Sequence, residues 1–113
     1  MRIVPVLVAL AALAFAPGAA MAQSADEVNI TLRIKDHKFD QSEVKVPAGK
    51  RIIITVFNDD PTPEEFESRS MKVEKVVGGK SKGIFRVGPF KPGKYDYFGD
   101  FHDDTAKGNL IAE

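Results

Sequence analysis

Two histidines and a set of carboxylates carry most of the chemistry open to this chain. His37 follows Asp36, Glu64, Glu65 and Glu67 share one short segment, and Asp100, His102 and Asp103 share another. Oxygen and imidazole donors suit Fe(II), Mn(II), Zn(II) or Cu(II), and the donor types alone do not choose among these ions. The sequence contains no cysteine, which excludes thiolate zinc sites, thiol redox chemistry and cysteine nucleophiles. It also lacks a Ser/His/Asp order, a glycine-rich phosphate loop and an H-E-x-x-H motif, so it reads as a binding protein and not an enzyme.

Each candidate has a plainer role beside the metal role. His37 suits a turn next to Asp36, and His102 suits a loop position capping a carboxylate. Glu64, Glu65 and Glu67 read equally as a solvated acidic edge balanced by Arg69 and Lys72. Asp100, Asp103 and Asp104 are of the type that bonds to nearby backbone amides. Met71 fits a core position better than a soft ligand position, and Tyr95, Tyr97 and Phe98 are expected to pack the interior.

The elements that must position these residues are strands. Val28, Ile30, Leu32 and Ile34 alternate with polar neighbours, and Arg51 to Asn58 is apolar on both faces, as a central strand would be. Further strands are expected at Glu43–Val46, Phe66–Val77, Gly83–Val87, Lys94–Phe101 and Asn109–Ala112, separated by turns rich in glycine, proline, asparagine and aspartate. No stretch sustains helical spacing for three turns. The pattern predicts an all-β, Greek-key antiparallel sandwich. If successive strands run up, down and up, the Asp36–His37 turn, the Asn58–Pro63 loop and the Gly99–Asp104 segment meet at one end. That end collects His37, Asp59, Asp60, Glu64, Glu65, Glu67, Asp100, His102, Asp103 and Asp104 and is poor in lysine. Strand parity turns Glu64 towards the same face as Phe66.

Residues 1–22 read as an export signal: Arg2, an apolar run from Ile3 to Phe15, and Ala20-Met21-Ala22 before Gln23. A periplasmic location follows as an expectation, with residues 23–113 as one domain of 91 residues. All 16 acids and 15 of the 16 bases lie in that domain, giving a net charge of −1 with neutral histidines. Neither nucleic acid nor an anionic membrane is suggested by that balance.

Specific motifs add a resemblance. Val44-Lys-Val-Pro-Ala-Gly-Lys50 and Lys91-Pro-Gly-Lys-Tyr-Asp-Tyr-Phe-Gly-Asp-Phe-His102 resemble a cupredoxin. Thr62-Pro-Glu-Glu-Phe-Glu-Ser68 with Phe98-Gly-Asp-Phe-His-Asp-Asp-Thr-Ala-Lys-Gly108 is similar to the cupredoxin-like domain of the EfeO type. The resemblance covers essentially all of residues 23–113. It implies a small periplasmic component of Fe(II) uptake that binds iron and/or copper and works with a membrane iron permease and other periplasmic uptake components.

The departures from blue copper are as informative as the match. Relative to that pattern, Glu64 stands where a histidine follows the loop proline, Gly99 stands at the cysteine, His102 is retained, and no methionine follows Met71. A type 1 centre needs a His₂Cys set that this chain cannot supply. A copper and/or iron ion held by oxygen and nitrogen is therefore expected, with Glu64 and His102 as natural partners. A Cu(II) buffer or chaperone, and a metal-free sandwich that contacts a partner protein, are the alternatives.

Overall fold

Alternation of side chains across the pleat builds two layers. The computed structural model describes residues 26–113 together with Arg2 and Ile3; the rest of the expected signal peptide, with its cleavage site after Ala22, lies outside the described residues. In β1 (Glu27–Lys35) Leu32 and Ile34 are fully buried, and in β4 (Arg51–Asn58) Ile52, Ile54 and Val56 are. Their polar neighbours point outward, as a period of two requires.

The remaining strands are β2 (Lys38–Phe39), β3 (Glu43–Val46), β5 (Glu64–Ser68), β6 (Val73–Val77), β7 (Ser81–Val87), β8 (Gly93–Gly99) and β9 (Lys107–Ala112). One sheet has the order β2-β1-β4-β7 and the other β3-β9-β8-β5-β6. Between them lie Leu32, Ile54, Phe66, Phe85, Tyr97 and Leu110. Each large side chain buried there contributes about 1.5–3 kcal/mol relative to exposure. The all-β sandwich expected from the sequence is present, and β4 is internal to its sheet as its two apolar faces implied. Both sheets are mixed, because β1 pairs with β4 and β3 with β9 in parallel. The chain visits the second sheet in β3 before returning in β4, so β1 and β4 become neighbours running the same way.

The segment Phe66–Val77 is a hairpin and not the single strand expected from the sequence. Ser68 is buried; its hydroxyl donates to the Asp96 carbonyl at 2.6 Å and accepts from the Met71 amide at 3.0 Å, while Lys72 takes a φ of 59°. No glycine or proline marks this turn, so the usual turn signal is missing from it. The strand expected over Lys94–Phe101 stops at Gly99, where a single 3₁₀ turn, Asp100–His102, begins. Met71 and Tyr97 are core residues, whereas Phe98 lies half-buried on the outer face and not in the interior.

Candidate metal centre

Three connections meet at one end of the sandwich, and Asp60 ties the first two together. Its buried carboxylate accepts the amides of Asp36 and His37 at 2.8 and 3.0 Å. Those two residues have φ values of 52° and 58°, a left-handed conformation costly for residues with a Cβ. Burial pushes the Asp60 carboxyl up, but the two amides and the charges of His37 and Lys80 outweigh it and hold the group below its ordinary range. Asn58 completes the loop, donating to the carbonyls of Thr62 and Val77 and accepting from the Asp60 amide.

The third connection is the turn after β8. Thr105 donates its hydroxyl to the His37 carbonyl at 2.6 Å. The rings of His37 and His102 stack with centroids 3.5 Å apart and planes 9° from parallel. The structure thus brings together the only two histidines of the chain.

Beneath them lies Glu64, 1% exposed. Its Oε2 is 2.5 Å from His102 Nδ1, and its Oε1 accepts the amides of Phe101 and Glu65 at 2.8 and 3.1 Å. The carboxylate is fully engaged, which is how a charge survives burial. A carboxylate holding one imidazole nitrogen fixes the ring and leaves the other nitrogen, here Nε2, for a ligand. Gly99 makes this possible. A Cβ added there would lie 2.6 Å from Glu64 Cδ and 2.8 Å from Oε1, so the glutamate head occupies the space a side chain at 99 would need.

A second group lies on the outer face. Pleat alternation turns Glu64 inward and Glu65 and Glu67 outward, and the 3₁₀ turn adds Asp100. One oxygen from each of Glu65, Glu67 and Asp100 lies within 4.8 Å of the others. Glu74 stands opposite Glu67 in the β5–β6 register. Partial desolvation, a hydrogen bond with Glu74, and the charges of Glu74, Asp100 and Glu67 all push the Glu65 carboxyl up. Desolvation, Glu74 and Asp100 do the same to Glu67, opposed by Arg69. A bound cation is the natural relief for such a cluster.

The seven candidate residues therefore fall into separate places. Glu64, His102 and His37 form the mouth of the sandwich; Glu65, Glu67 and Asp100 form the outer cluster. Asp103 belongs to neither group and lines a groove of about 560 Å³ with Arg69, Asp96, Phe98 and Lys107, which Asp100 also borders. Glu74 is absent from the residues expected at this end, because it needs the hairpin register to be seen; Asp60 is among them, but as one acid of the group and not as the acceptor of the Asp36 and His37 amides.

The donors present decide which ions fit. With no cysteine, Met71 in the core, and the space at Gly99 filled by Glu64, a type 1 copper does not fit. Oxygen donors of the kind a harder cation takes stand together at Glu65, Glu67 and Asp100.

Comparison with known proteins agrees with this fold. The sequence profile of the cupredoxin-like domain matches residues 5–112. An uncharacterized protein of Rickettsia prowazekii is 48% identical over 86 residues, covering 76% of this chain and 67% of that protein. The metal-binding domain of the Cu(I)-exporting P-type ATPase CopA of Streptococcus pneumoniae, solved with Cu(I), superposes with a TM-score of 0.70 at 13% identity, covering 80% of this chain and 89% of that one. Auracyanin A, a "blue" copper protein from Chloroflexus aurantiacus, gives 0.66 at 15% identity, covering 77% and 99%.

Proposed function

The chain belongs to the cupredoxin-like domain family, and from that premise we propose that it is an exported carrier of a hard or borderline metal ion. In this reading it is a periplasmic component of Fe(II) uptake that hands its ion to a membrane permease. The observation that carries the reading is the convergence of Glu65, Glu67 and Asp100 oxygens within 4.8 Å, with the Glu65 and Glu67 carboxyls pushed up by their neighbours. Three carboxylates fill half the positions of a six-coordinate oxygen site and leave the others to water, which favours an ion that must later be released. Glu74 stands next to the cluster and, by repelling the charged forms of Glu65 and Glu67, adds to what a bound cation would relieve. Arg69 lies on its rim and limits the charge.

His102 and His37 support a second reading, the binding of Cu(II) at the mouth. Glu64 holds His102 by Nδ1, which leaves Nε2 for an ion, and His37, stacked on that ring, would have to turn out of the stack to add a second imidazole. A bound copper or iron would supply Lewis acidity and one-electron redox chemistry; the residues here bind, orient and shield it. Cu(II) is expected to bind most tightly in vitro whatever the physiological ion, since nitrogen and oxygen sites follow that order.

Thermal denaturation of the Gln23–Glu113 chain with Fe(II) under anaerobic conditions, Mn(II), Zn(II) and Cu(II) tests both readings. Stabilisation lost in Glu67→Gln supports the carboxylate site, and stabilisation lost in His102→Ala supports the mouth. No stabilisation by any of the four ions would sink both.

A further inference from the structure

The near-zero net charge conceals an uneven placement of charge: the outer face of one sheet is cationic, while that of the other mixes lysines with the carboxylate cluster. Register across β1, β4 and β7 places three rows side by side: Asn29–Ile53–Arg86, Thr31–Thr55–Ile84 and Arg33–Phe57–Lys82. All point away from the core, as the burial of their alternating neighbours requires. The rows contain no carboxylate. Among the described residues, the one carboxylate within ion-pair distance of their three cations is Asp59, 3.1 Å from Arg33. At the centre lie apolar side chains, with Ile84 46% exposed and Ile53 and Phe57 partly so. The Arg33 guanidinium sits 4.4 Å from the Phe57 ring centroid and the Lys82 ammonium 5.9 Å from it. The carboxylate cluster of Glu65, Glu67, Glu74 and Asp100 belongs to the other sheet.

The geometry points to this cationic, apolar-centred sheet face as a docking surface for an anionic phospholipid bilayer. Charge complementarity selects the occupant. Arg33, Lys82 and Arg86 stand at the corners of a pleated face whose neighbouring strands lie about 4.8 Å apart, an arrangement that suits the mobile phosphates of lipid headgroups. A second copy apposing the same face would set these cations against each other. Ile84, Phe57 and Ile53 supply apolar contact at headgroup depth, and each cation near an anionic membrane is worth roughly a fivefold gain in partition. Because the carboxylate cluster lies on the opposite sheet, the same field that attracts this face repels the cluster. The protein would therefore rest with its carboxylate cluster towards bulk solvent. This inference stands independently of which ion the protein holds.

Co-sedimentation of the Gln23–Glu113 chain with phosphatidylglycerol or phosphatidylcholine vesicles at low ionic strength tests it. Binding to phosphatidylglycerol alone is expected, weakening as salt is raised. Lys82→Gln with Arg86→Gln should lower partition roughly 25-fold, and Ile84→Ser should lower it further without altering the salt dependence. Lys45→Gln with Lys94→Gln, on the outer face of the other sheet, should leave it unchanged. Equal partition into both lipids, or an equal loss in the Lys45/Lys94 pair, would overturn the assignment. So would retention on immobilised polyglutamate without vesicle binding, which would give the face to an acidic protein.

Discussion

Gly99 and Glu64 share one volume: a Cβ at position 99 would lie 2.6 Å from the glutamate's Cδ. Side chains cannot be added at one without displacing the other. The glutamate has three hydrogen bonds to lose, from His102, Phe101 and Glu65. The exchange of a side chain at 99 for a carboxylate from β5 defines the mouth of this sandwich and sets it apart from a blue-copper centre.

Gly99→Ala is accordingly expected to destabilise the protein by about 1–3 kcal/mol, the usual cost of overpacking. In a Glu64→Ala background the same substitution should cost much less, because the opposing head group is gone. Urea unfolding of the two single variants and the double variant measures this coupling. Strict additivity would contradict the shared-volume account. Gly99→Cys should likewise lose stability and should not generate blue-copper absorption with Cu(II).

Stability should rise on mild acidification. Glu65 and Glu67 titrate higher in the folded protein than their ordinary value of 4.5. Folding therefore takes up protons at these groups, so their contribution is present in full below 4.5 and is lost as pH rises through their elevated range. Asp60 behaves oppositely: its carboxyl is held below 3.8, so its contribution is present above that value and disappears as pH falls through the lowered range. Melting temperature followed from pH 7 downward should climb and then fall. In Glu67→Gln the climb should shrink, and the apo protein should melt higher at neutral pH than the parent.

Asp60→Ala should release the Asp36–His37 turn. Two amides bonded to a carboxylate are lost, at a cost of about 3 kcal/mol, and both residues are freed from a strained backbone conformation. His37 should then leave its stack on His102. Nuclear magnetic resonance of the imidazole protons reports this directly, since loss of ring stacking moves their shifts; unchanged shifts would show that the stack does not depend on Asp60.

Much of this arrangement was legible in the residues, and the failures share a cause. Alternation in Val28–Ile34 and Arg51–Asn58 gave the layers, and the parity of Glu64 with Phe66 gave its inward aim. The meeting of the Asp36, Asn58 and Gly99 connections followed from strand direction alone. The β5–β6 hairpin was invisible because its turn is made by the Ser68 hydroxyl and a left-handed Lys72, with no glycine or proline to mark it. Glu74 was lost with it, and Glu65, Glu67 and Asp100 could not be separated from Glu64 and His102 without the pleat of β5 and the short 3₁₀ turn. The His37 turn is held by Asp60, a contact between residues 23 apart in sequence, and no local signal announces it. Net charge, being a sum, hid the cationic rows of β1, β4 and β7.

Glu65, Glu67 and Asp100 are proposed to hold the cation. Anaerobic calorimetric titration of Fe(II) into the Gln23–Glu113 chain and its Asp100→Asn variant tests it most directly. The expected result is a single Fe(II) site in the parent, weakened at least roughly tenfold in the variant, while His37→Ala binds as the parent does. Equal affinity in parent and Asp100→Asn, or no Fe(II) binding in the parent, would contradict it.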